Sequence, residues 1–185
     1  MHKSTALLTD MYELTMVEST LASGTANRKS VFEVFSRRLP SGRRYGVVAG
    51  TGRVLDEVAK FTFSDDELTF LADNNVVAPS TIDWLANYRF TGDIYGYNEG
   101  EVFFPQSPIM TVTGTFAEAV VLETHILSIL NHDSAVAAAA SRMTIAAHGR
   151  PCLEMGARRT HERAAVSAAR ASVVGGFAGT SILEA

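Results

Sequence analysis

Residues 149–185, GRPCLEMGARRTHERAAVSAARASVVGGFAGTSILEA, carry the densest set of side chains able to do chemistry. A short apolar run at 152–155, broken only by Glu154, is released by Gly156 into Arg158, Arg159, His161, Glu162 and Arg163. Residues 164–174 then turn to Ala, Val and Ser at helical spacing until Gly175 and Gly176 stop them. A second short element starts at Phe177 and runs into Gly179, Thr180 and Ser181. This is the punctuation of a strand, a charged turn, a helix and a glycine-rich exit. The Arg pair stands where strand hands over to helix, the place where α/β folds put their ligands. Two positions that could face one ligand therefore lie one βα unit apart. A second cationic cluster, Arg37, Arg38, Arg43 and Arg44, surrounds a turn at Pro40 and Gly42. The planar guanidinium fork matches phosphate oxygens, and a solvated loop accounts for the same residues.

The other reactive side chains have plainer readings beside the chemical ones. Cys152, the single cysteine, reads as a small apolar filler of a buried strand before it reads as a nucleophile. Tyr12, in the first turn of a helix, is either an aromatic cover for the core or a ring offered to a ligand. His125 and His132 lie seven residues apart on an Ala- and Leu-rich helix, with no matching carboxylate pattern for a metal, and read as structural polar residues. Asp65, Asp66 and Glu67 follow Ser64 in the pattern of a helix start, so they cap rather than ligate.

The elements that position these residues are legible from periodicity. Helical spacing of Leu14, Val17 and Leu21 begins behind Thr9 or Asp10 and ends at Gly24. Residues 31–36 alternate as a half-buried strand, with Val31, Glu33 and Phe35 on one face. Residues 45–49 form an apolar strand, and a short helix follows over 50–61 with Val54, Leu55 and Val58 inward. Residues 79–88 form another helix bearing Trp84. Asn98 and Gly100 predict a hairpin between strands in IYGYNEGEVFF, within an antiparallel unit spanning about residues 90–116. Residues 116–147 form one long Ala-rich helical stretch, for close packing or as a connector. The expected domains are 1–118, an N-terminal α/β domain; 119–148, a helical connector; and 149–185, the start of a catalytic α/β barrel.

Composition bounds the class. The chain has 185 residues, 46% hydrophobic and 19% charged, which is the balance of a globular protein with a real core. A net charge of -4 argues against a general nucleic-acid binder, and no segment reads as a leader or a membrane span. The lone cysteine suits a reducing cytoplasm.

Six blocks, LLTDMYELTM, FEVFSRRLPSGRRYGVVAG, RFTGDIYGYNEGEVFFPQSPIMTVTG, AEAVVLETHILSILNH, LEMGARRTH and GGFAGTS, together resemble the nicotinate phosphoribosyltransferase family, in order and almost from end to end. The resemblance implies an α/β fold: an α+β N-terminal domain plus the beginning of an irregular α/β barrel, used as a homodimer with active sites at the interface. It implies NAD salvage, in which nicotinate attacks C1 of 5-phosphoribosyl 1-pyrophosphate to give nicotinate mononucleotide and pyrophosphate. ATP hydrolysis assists through a phosphohistidine, with Mg2+ present in the complete enzyme.

On these positions the resemblance gives Arg158 the nicotinate carboxylate, Met155 one face of the ring and Tyr12, from the partner subunit, the other. Thr180 and Ser181 belong to the same substrate site. The nicotinamide-using relatives carry Asp at the place of Ser181, and a hydroxyl donates to a carboxylate that an Asp repels; a helix cap is the plainer reading of that serine. Arg37 or Arg38 reaches pyrophosphate or ATP. The phosphohistidine is expected in a segment beyond Ala185, not at His161, so the catalytic residues are left unassigned, and neither Mg2+ nor ATP is expected to be bound by this chain alone. A whole barrel takes roughly 250 residues, so the chain is expected to be an incomplete, truncated part of the enzyme and inactive by itself. Two other readings are a non-catalytic paralogue acting as a dimerisation or regulatory partner, and a nicotinamide or quinolinate phosphoribosyltransferase.

Overall fold

The computed structural model describes residues 4–185, so the first three residues of the segment read for a leader lie outside it. The fold mixes helices with short strands, and its sheets are open. The chain forms two compact units, each assembled from separated segments.

The first unit comprises the chain up to Glu33, Leu55–Tyr95 and Thr111–Leu127. Its first helix, α1, spans Met11–Ala22 behind Asp10 in extended backbone, and buries Leu14 and Val17 as the spacing predicts. Strand β1, Lys29–Phe35, alternates as expected, with Val31 and Phe35 exposed and Phe32 turned inward against Phe116 at 5.9 Å. Helix α2, Thr51–Lys60, follows strand β2, Gly46–Val47. Val54 and Val58 of α2 are buried, whereas Leu55, expected inward, is exposed. One residue separates Leu55 from the buried pair by about 100° of helical turn, enough to carry it off the core stripe. Helix α3, Asp65–Asp73, starts in a complete capping box: Ser64 Oγ accepts from the Glu67 N–H, and the Ser64 N–H donates to Glu67 Oε2 at 2.8 Å. Helix α4, Pro79–Ala86, places Trp84 against Tyr88, and Tyr88 meets Phe61 and Phe63 edge to face. The Tyr88 hydroxyl, otherwise buried in that apolar cluster, donates to the Glu118 carbonyl at 2.8 Å.

The expected hairpin at Asn98 and Gly100 does not form. Strand β3, Asp93–Gly96, neighbours β5, Pro108–Thr115, in a sheet of order β1-β5-β3. Strand β4, Val102–Phe103, pairs antiparallel with β2 instead. The turn itself is present, with the Glu101 N–H donating to the Asn98 carbonyl at 3.2 Å and Gly100 at positive φ. A turn signal is local, and partner choice is decided by a strand more than fifty residues away.

The long helix expected over 116–147 is two. Thr115 caps α5, Phe116–Val120, through its hydroxyl, and α6, Glu123–Ala146, restarts after Val121 and Leu122. Thr9 donates to the Val121 carbonyl at 3.0 Å, and Glu13 accepts from the Thr124 N–H at 2.8 Å. The groups freed by the break thus find partners on the segment around α1.

The second unit comprises Val34–Val54, Gly96–Met110 and Ser128–Ala185. Its core gathers Val47, Ala49, Ala137, Ala138 and Ala171, so the Ala-rich part of α6 serves close packing. Tyr45 and Val174 cover that cluster. Helix α7, Glu162–Val174, lies between strands β6, Leu153–Glu154, and β7, Gly179–Thr180, which pair in parallel with Leu153 opposite Gly179 and Glu154 opposite Thr180. The strand and helix read in the sequence are present, and the second short element after Gly176 is a strand, which completes a βαβ unit. Cys152, expected in a buried strand, is half-buried just before β6, because that strand is two residues long and the run around it is left uncovered, with Leu153 and Met155 exposed.

Candidate functional site

The parallel pair β6 and β7 brings its two C-terminal ends side by side. Past the end of β6 come Met155, Gly156 and a single 3-10 turn, Ala157–Arg159, carrying Arg158; past the end of β7 comes Ser181. This is the edge at which parallel sheets with helical crossovers expose loop backbone and side chains to a ligand. Arg158 and Ser181 are both exposed there, and Met155 keeps 69% of its surface in solvent. The guanidinium of Arg158, the hydroxyl of Ser181 and the thioether of Met155 are thus solvent-facing groups past these strand ends, and a guanidinium fork is in general matched to carboxylate or phosphate oxygens.

Thr180 is placed with them, but its hydroxyl is engaged. It donates to Glu154 Oε2 at 2.9 Å and accepts from the Ile182 N–H at 3.1 Å. The other Glu154 oxygen accepts from the Gly156 N–H. Glu154 is the residue that reading by type passed over. Its signal was present, as the only charge in an otherwise apolar run. His161 stands at the N-cap of α7, where its Nδ1 accepts from the Arg163 N–H at 3.3 Å.

Tyr12 belongs to the first unit, in the first turn of α1, and is 44% exposed. Partial burial, a hydrogen bond to Glu123 and that carboxylate's charge push its phenol up to about 12. It is therefore a neutral phenol throughout the physiological range. Next to it Glu13 is fully buried, and burial raises its carboxyl above the usual range although the Thr124 bonds oppose this.

Arg37 and Arg38 are exposed on the loop after β1. Their carbonyls are tied down, since the Gln106 side-chain amide donates to Arg37 O at 2.7 Å and Ser36 Oγ to Arg38 O at 2.9 Å. The backbone is held while both guanidinium groups face solvent. Arg43 is half-buried and Arg44 exposed on the same loop.

The two helix histidines take no part in one site. His125 is buried in the first unit beside Phe61, with Glu57 Oε2 at 3.8 Å from Nε2; His132 bonds Asp133 Oδ1 through Nδ1 at 2.9 Å in the second. Among the described residues no group of three His, Cys, Asp or Glu side chains converges on a possible metal position.

Residues 7–131 match the family model of the nicotinate phosphoribosyltransferase (NAPRTase) N-terminal domain. The chain belongs to the nicotinate phosphoribosyltransferase family. It is 59% identical to the nicotinate phosphoribosyltransferase pncB1 of Mycobacterium tuberculosis over 97% of this chain and 40% of that one. With the nicotinate phosphoribosyltransferase of Bacillus subtilis it shares 37% identity over 98% of this chain and 37% of the other. Among solved structures, human nicotinic acid phosphoribosyltransferase superposes with a TM-score of 0.86 at 29% identity, covering 95% of this chain and 36% of that one. The chain thus spans about 40% of the length of the curated relatives it matches. The family match covers α1 through the first part of α6, while β6, α7 and β7 lie outside residues 7–131 and inside the spans shared with the whole relatives.

Proposed function

We propose that the protein bearing this chain acts in NAD salvage, joining nicotinate to 5-phosphoribosyl 1-pyrophosphate. The observation that carries the reading is the placement of Arg158 and Ser181 past the ends of two paired parallel strands, in a chain of this family. The Arg158 fork takes the nicotinate carboxylate and the Ser181 hydroxyl donates to it. Met155 covers one ring face, and Tyr12 of a partner subunit in a homodimer covers the other. Thr180 contributes by its main chain or methyl group, its hydroxyl being held by Glu154.

With the carboxylate anchored, the pyridine nitrogen is presented to C1 of the phosphoribosyl group. The new N–C1 bond forms as the C1–O bond breaks and its electron pair leaves with pyrophosphate. The product ring carries the positive charge of a pyridinium, so no proton need be removed from it. Arg37 and Arg38 meet pyrophosphate or ATP. Coupling to ATP through a phosphohistidine, and the Mg2+ that accompanies the phosphates, belong to the whole enzyme in this proposal, and the chemistry assigned to the described residues uses neither. No helix among the described residues is long and apolar enough to cross a membrane. The location in this proposal is the cytoplasm.

The product of the complete reading frame, given 5-phosphoribosyl 1-pyrophosphate, should form the mononucleotide from nicotinate and not from nicotinamide. Equal use of nicotinamide, or no mononucleotide from either base, overturns the proposal.

A further inference from the structure

The β6–β7 pair is only two residues long on each side, so its ladder supplies few bonds to hold the two strand ends in register. The side chain of Glu154 supplies what the ladder lacks. One oxygen takes the Gly156 N–H, on the path to Arg158, and the other takes the Thr180 hydroxyl, next to Ser181. Its carbonyl adds a third link, accepting from the Ser181 N–H at 2.9 Å. Thr180 Oγ1 accepts from the Ile182 N–H, which leaves its own proton to point at Glu154. Gly156 is required by the same arrangement: a Cβ there would stand 2.7 Å from Glu154 Oε1.

We propose that Glu154 is a positioning residue that sets the spacing between the Arg158 turn and Ser181, and through it the fit of the substrate carboxylate. This rests on the nicotinate reading above. Glu154 touches no reacting atom. Both of its oxygens already accept a hydrogen bond, so its charge is directed into the scaffold and away from the carboxylate bound by Arg158. Losing the clamp leaves the two anchor points tied by the main-chain bonds alone, and an ångström of drift weakens a bidentate contact sharply.

The test is steady-state kinetics on the product of the complete reading frame, with KM measured separately for nicotinate and for 5-phosphoribosyl 1-pyrophosphate. Glu154→Ala and Thr180→Val should each raise the nicotinate KM about tenfold, with the other KM within about twofold. The double variant should be no worse than Glu154→Ala, because the link that Thr180→Val removes is already absent from Glu154→Ala, and Glu154→Gln, which retains an acceptor for Gly156, should recover at least half of the loss. Thr180→Val preserves shape, so it reports even where Glu154→Ala folds poorly. Additive losses, or equal rises in both KM values, overturn the role of Glu154 while leaving the nicotinate reading standing. Absence of nicotinate turnover in the unsubstituted protein overturns the nicotinate reading itself, and the positioning role with it.

Discussion

Glu13 Oε1 accepts two hydrogen bonds from a single residue, the Thr124 N–H at 2.8 Å and the Thr124 hydroxyl at 2.7 Å. A fully buried carboxylate thereby caps the start of α6 from the neighbouring helix α1, one residue away from Tyr12. The positive end of the α6 dipole favours an acceptor there, while burial disfavours its charge.

Substitution separates these two effects. Glu13→Ala leaves the Thr124 N–H without its acceptor and should cost about 1–3 kcal/mol in chemical denaturation. Glu13→Gln keeps an acceptor and removes the charge. Burial raises the carboxyl above its ordinary 4.5, so the protonated form is the one favoured by folding. The stability this contributes is present below the unfolded value and lost as pH rises through the folded one. Glu13→Gln should therefore gain on the native protein as pH rises from acid to neutrality; a flat difference across that range refutes the assignment.

Asp133, fully buried, is held by Arg53 NH1 at 2.7 and 2.9 Å and by His132. Removing the cation strands the carboxylate, so Arg53→Met should cost about 3 kcal/mol, the low end for a buried pair because Arg53 is itself partly exposed. Adding Asp133→Leu should restore part of that loss. An additive double variant would show that the pair does not couple.

Gly46 faces the Phe103 ring across the β2–β4 pair, and a Cβ at Gly46 would lie 2.1 Å from Cζ. Gly46→Ala should destabilise by about 1–3 kcal/mol through overpacking. Phe103→Leu in the same background should recover stability. If it does not, the strain lies in the backbone and not against the ring.

If Ser181 selects the carboxylate, Ser181→Asp should weaken nicotinate binding at least about tenfold, roughly 1.4 kcal/mol, while leaving nicotinamide binding much less affected. Arg158→Ala should weaken nicotinate binding comparably. Calorimetric titration with both bases reads the difference, and equal loss for both bases removes the charge argument.

Local signals carried much of the description by themselves. The Ser64 capping box, the alternation in β1, the stop of α7 at Gly175 and the order of strand then helix at β6 and α7 all follow from neighbours within a few residues, and each is as the sequence pattern predicts. Residue type and spacing marked the Arg158 and Arg159 pair and the run at Gly179, Thr180 and Ser181, the resemblance implied Arg158 and Ser181 among them, and family membership follows from ordered blocks along the chain. Non-local choices were another matter. The partner of β4 is β2, more than fifty residues back, although its turn favoured a hairpin. The α5–α6 break depends on Thr9 and Glu13, more than a hundred residues from the groups they satisfy. Glu154 read as an interruption in an apolar run until the parallel pairing put Thr180 within reach of its carboxylate. Sequence periodicity encodes which face of an element is apolar, but a hydrogen bond between distant segments exists only once packing has brought them together; tertiary structure alone made Glu154 the link between the ends carrying Arg158 and Ser181.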